Sequence, residues 1–202
     1  MHWQRLDRDN SLKVIDSVKS ADNAGLFSHT TSEVQRSRLS FYKDYSVYKV
    51  TNYASLPSFS FEYLSDGMFF HYLDGTESPI HTVNDKGVLT LDKSNVMDYL
   101  AFYFAHVGDD EGDIIVINNP HDMPMLDSLD AEAYDAVFSQ HKTPEVHYDG
   151  GFDAYEVTAN LYKDSQIMRA QIEINVKGRV KIKKQKMIMH EVEDSDYSES
   201  ML

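Results

Sequence analysis

The sequence predicts an α+β protein built on a mainly antiparallel, twisted sheet. Three observations carry that prediction. Between 154 and 188, three runs alternate apolar and polar side chains and are joined by short turns. Between 39 and 91, short aromatic and β-branched runs are punctuated by Asp66-Gly67, Asp74-Gly75 and Lys86-Gly87. Two stretches, 94–107 and 128–140, carry apolar residues at helical spacing and supply the helices that such a sheet needs on its apolar face.

In chain order, 1–38 reads as a helical lead-in and loop. Asp9, Asn10 or Ser11 is placed to cap a short helix bearing Leu12, Ile15, Val18 and Ala21, with Gly25 beyond its end. The polar stretch 28–38 reads as a loop, or as a short helix near Glu33. From Leu39 the character changes to strands. One runs through Tyr53. A second carries Phe59, Phe61 and Tyr63 after Pro57, and a third returns over 68–73. Runs over 79–83 and 88–91, flanking Asn84-Asp85-Lys86-Gly87, suggest a further hairpin.

Asp92 or Ser94 opens the strongest helix, with Val96, Met97, Leu100, Tyr103, Phe104 and Val107 on one broad face. Ile114 to Ile117 is a continuous apolar run, as expected of a strand buried on both faces. Asp127 or Ser128 opens a second helix with Leu129, Ala133 and Val137. Gly150-Gly151 then leads into the C-terminal meander, and within Gln166 to Val176 only Ile167 breaks the alternation. Turns are expected at Lys163-Asp164-Ser165 and Lys177-Gly178, and a bulge or strand exit near Lys183-Lys184. These elements form a single α+β domain over 39–191, followed by an acidic, solvated tail over 192–202.

Charge and composition narrow the function classes. A net charge of −14 opposes phosphate backbones and anionic membranes, so neither nucleic acid nor membrane is an expected partner. The chain has no cysteine, which removes disulfides, thiol catalysis and cysteine-based zinc sites. No signal-peptide core and no bilayer-length apolar run is present, so the expected location is cytoplasmic.

Few residues carry a chemical signal. The run Gly108 to Asp113 alternates Asp109, Glu111 and Asp113, but it lacks the Gly and the Glu of an EF-hand loop. Nine histidines are scattered without His-Glu-x-x-His spacing. Of these, His71 and His81 are expected on adjacent strands, and His121 follows the buried strand at its C-terminal end. No Gly-x-Ser-x-Gly elbow and no Gly-rich phosphate loop occurs. No catalytic residue, metal or cofactor is expected from the sequence, and an enzyme is not the expected class.

The aromatic block from Phe41 to Tyr72 is the more suggestive feature. Alternation over its strands turns Tyr42, Tyr48 and one of Phe69 or Phe70 away from their neighbours, toward a ligand or partner. The candidate binding residues are therefore Tyr42, Tyr48, Phe69, Phe70, His71, His81 and His121. The basic run from Lys177 to Lys186 reads as protection of a sheet edge. The last three residues, Ser200-Met201-Leu202, match only a minimal carboxylate-capture peptide. The expected function is a non-enzymatic protein-binding or adaptor domain whose acidic surface suits a basic partner. The alternative is a small-molecule-binding or enzymatic domain with a pocket between sheet and helix. The oligomeric state is left open.

Overall fold

The computed structural model describes residues 1–21, 25–108, 112–124 and 126–189. Asp109, Glu111 and the acidic stretch 192–202, with its C-terminal Ser200-Met201-Leu202, lie outside the described residues. Among the described residues the fold is α+β, with four α-helices and with two antiparallel five-stranded sheets rather than one. The chain divides into two compact units, 1–90 and 91–202.

The first unit is a meander of β1 (Gln4–Arg5), β2 (Ser32–Arg38), β3 (Ser46–Asn52), β4 (Phe59–Ser65) and β5 (Phe70–Tyr72), in that spatial order. Helix α1 (Arg8–Ala21) lies on one face. It starts one turn earlier than expected because Asp7, not a later residue, accepts the Asn10 amide at 2.9 Å. Its Val14, Ile15 and Val18 pack against Val34, Val50, Tyr48 and Tyr63. Cross-strand register builds this face: Arg36, Tyr48, Tyr63 and Tyr72 lie abreast, as do Val34, Val50 and Phe61.

Two expectations are corrected in this unit. Most of the polar stretch 28–38 is neither loop nor helix: Ser32–Arg38 is a strand, next to the edge strand β1. Only Val34 and Ser37 are buried there, too few apolar positions to show a period of two. The hairpin expected over 79–91 is instead helix α2 (Ser78–Asn84). Pro79 suits the first turn of a helix, and Ile80 and Val83, three apart, share one buried face. Leu89 makes only an isolated bridge with Tyr42.

The second unit opens with α3 (Val96–His106), whose entry is held by Asp92 accepting from the amides of Ser94 and Asn95. Strand β6 (Ile115–Ile117) follows, then short 3-10 turns over Pro120–Asp122 and Leu126–Ser128. Helix α4 (Ala131–Gln140) begins later than expected. Asp130 is its cap, accepting from Ala133 at 2.8 Å. The three long strands are β8 (Ala154–Lys163), β9 (Gln166–Asn175) and β10 (Val180–Met189). The register slips between Ile182 and Lys184, a bulge at the expected position.

An additional strand, β7 (Glu145–Asp149), pairs with the first half of β8, while β6 pairs with its second half. Both lie on the same side of β8, opposite β9. The segment between them, with α4, covers one end of the face that alternation leaves polar. Ile117, Met123, Leu126, Val137 and Ile167 form a small core there. Ile167 therefore breaks the alternation because both faces of the sheet are dry at its position. The other face buries Val157, Ala159, Leu161, Ala170, Ile172 and Ile174.

Candidate functional site

In the first unit large apolar side chains are exposed on the β3–β4 connection, Tyr53 and Leu56, and at the β4–β5 turn, where two of them are adjacent in the chain. Ser65 closes β4 opposite Phe70, so four residues, Asp66 to Phe69, reverse the chain. Asp66 Oδ1 accepts from the amides of Met68 and Phe69, both at 2.9 Å, and Ser65 Oγ accepts from the Gly67 amide at 2.9 Å. Gly67 has φ +93°, and a Cβ there would lie 3.9 Å from the Tyr48 hydroxyl. These bonds fix a turn whose next two side chains point outward: Met68 is 74% exposed and Phe69 63%.

A polar group borders the turn. Lys86 Nζ donates to Tyr45 Oη at 3.0 Å and lies 3.1 Å from His71 Nε2. Burial holds the His71 imidazole below its ordinary 6.5, Lys86 lowers it further, and Asp66 opposes both. A neutral Nε2 is able to accept from the ammonium at this distance. Burial pushes the Asp66 carboxyl up, but the amides of Phe69 and Met68 outweigh it and leave the group below 3.8.

The sequence-predicted residues separate into three places. Phe69, Phe70 and His71 come together at this turn, with Phe69 outward and Phe70 packed at 5.2 Å from Tyr48. Tyr48 is buried under α1. Tyr42 is buried as well, and its hydroxyl donates to Asn84 Oδ1. His81 is buried on α2, with Nδ1 3.7 Å from Glu77. His71 and His81 are therefore on a strand and a helix, not on paired strands. His121 belongs to the second unit and meets the Phe138 ring edge-on at 5.0 Å. Tyr48 shares its sheet face with Phe61, Tyr63 and Phe70, and α1 covers that face. Met68 and Lys86 were not singled out in the sequence. Met68 carried a signal all the same, as a large apolar residue directly after Asp-Gly, where turn positions are usually polar.

Among the described residues no group of three or more His, Asp or Glu side chains is gathered closely enough to hold a metal ion. Among the described residues no helix is long and apolar enough to cross a membrane. The chain matches no family model, no curated protein and no solved structure.

Proposed function

We propose that this protein is a protein-binding module that inserts the Met68-Phe69 turn into an apolar pocket of a partner. The observation that carries the reading is the exposure of these two side chains on a turn held by three backbone-amide hydrogen bonds. Large apolar residues held away from their own core are the usual anchors of an interface. A fixed turn loses little conformational entropy on docking, so more of the burial energy survives as affinity. Burying Met68 and Phe69 supplies about 1.5–3 kcal/mol each. The chain's charge of −14 favours a partner with basic residues around its pocket, and attraction of that kind raises the association rate more than the affinity.

The test is capture from lysate of the source cells at low and high salt, comparing the native chain with a Met68→Ser/Phe69→Ser variant. The expected result is a stoichiometric partner held by the native chain and lost by the variant, with unchanged urea unfolding. High salt should slow its association without abolishing capture. Equal capture by the two chains overturns the reading, as does capture of nothing at either salt.

A further inference from the structure

The positive charge of this acidic chain is unevenly placed. Arg36 and Arg38 lie two apart on β2 and so face the same side of the first sheet. Gln4 is directly opposite Arg36, and His2 lies two residues before Gln4 in the chain. These four side chains, with Arg5 of β1 and with Leu6 and Asp7 just before α1, line a cleft of about 270 Å³. From this arrangement we propose that the cleft is a binding site for a small phosphate-bearing molecule, the phosphate held by Arg36 and Arg38.

Three observations support the assignment. The first is orientation. Arg36 Nε donates to Ser46 Oγ at 3.0 Å, and its guanidinium lies 5.6 Å from the centre of the Tyr48 ring. That pair of contacts fixes the plane of the guanidinium while using one of its five N–H groups. The second is charge. Among the described residues no carboxylate lies within 4.0 Å of Arg36 or Arg38, although acidic residues outnumber basic ones 33 to 19. The third is the state of the nearby acids. Asp7, which also lines the cleft, stays ionised, but both its oxygens are held by the Asn10 amide and side chain at 2.9 and 2.7 Å rather than by Arg36 or Arg38. Glu33 is paired with Arg5 at 3.0 Å.

Net charge does not decide binding at this distance scale. In physiological salt, fields from exposed charges decay over about 8 Å, so a bound anion responds mainly to the residues lining the cleft. Two guanidinium groups carried on one face of β2 and lining one cleft suit a doubly charged tetrahedral oxyanion, which accepts several N–H groups at once. The volume leaves room beyond the phosphate for a small organic body.

The test is a nuclear magnetic resonance titration of the full chain with inorganic phosphate and, separately, with glycerol 1-phosphate. Salt is adjusted to hold ionic strength at about 0.15 M throughout. The Arg36 Nε–H and Gln4 side-chain amide signals should shift and saturate, and the probe that saturates first tells whether free phosphate or an ester is the better ligand. Arg38→Gln, at an exposed position, should weaken binding about ten-fold, consistent with loss of one charge-assisted contact. Arg8→Gln, outside this cleft, should leave affinity within two-fold. The proposal is overturned if neither probe saturates by about 10 mM, a free-energy floor of under 3 kcal/mol. It is also overturned if the β10 lysine amides shift as strongly as Arg36, or if Arg38→Gln binds as the native chain does.

Discussion

Tyr99 is fully buried on α3, and its hydroxyl donates to the Gly178 carbonyl in the β9–β10 turn at 2.6 Å. Replacing it with Phe leaves a buried carbonyl short of a donor while keeping the ring. The expected cost is about 1–2 kcal/mol, read as a lower urea midpoint at constant slope. Near the β4–β5 turn the relevant residue chemistry is titration. His71 is held below 6.5 by burial and then by Lys86, so the unfolded chain takes up its proton first as pH falls. Its contribution to stability is intact above 6.5 and declines as pH drops from there to the folded-state value. The imidazole midpoint, followed by magnetic resonance, should lie below 6.5. It should rise in Lys86→Met and fall further in Asp66→Asn. Asp66 itself is depressed below 3.8, so its contribution is present above that value and is lost as pH falls through the folded-state value. Acid should therefore loosen the turn in two stages, His71 first.

Among the elements, the β8–β9 hairpin is the most open to improvement. Asp164 and Ser165 both adopt positive φ, 48° and 57°, as a two-residue turn matched to strand twist requires. Neither is the best residue for that region. Exchanging the pair for Asn-Gly should stabilise the second unit by about 0.5–1 kcal/mol, measured by urea unfolding of the full chain. The same hairpin was legible in sequence because its strands are half buried, and half burial forces alternation. The bulge near Lys183 was legible for the same reason, since the alternation fails there. Strands β2 and β7 were not legible. β2 buries only Val34 and Ser37, and β7 buries none of its residues fully. Their places are set by backbone pairing to β3 and β8, which leaves no apolar record. Helix α2 was missed because seven residues hold two turns of helix, and Ile80 and Val83 fit a short strand nearly as well. Of the site, Phe69, Phe70 and His71 could be found because Asp66-Gly67 announces the turn. That Tyr42 and Tyr48 are buried could not, because nothing local says that α1 covers the face holding Tyr48.

At the scale of the whole molecule, charge dominates behaviour in solution. With 33 acidic and 19 basic residues the chain carries −14 at neutral pH and an isoelectric point near 4.9. Light scattering of the concentrated protein should peak near pH 5 and fall toward pH 7, where like charge keeps copies apart. Flat scattering across that range would mean that the exposed turn, not the charge, governs association. The α+β class, the strong helices α1, α3 and α4, the C-terminal meander with its bulge and the β4–β5 turn were determined by sequence alone. Each rests on a local cause: periodic burial, a capping carboxylate or a glycine with positive φ. The division of strands between two sheets, the placing of β6 and β7 along one side of β8, and the meeting of Arg36 with Arg38, Gln4 and His2 in one cleft were decided only by the tertiary structure. Those are pairings between residues far apart in the chain. The energy that selects them comes from backbone hydrogen bonds and packing that any sequence of similar shape can make, so the residues themselves carry no mark of their partners.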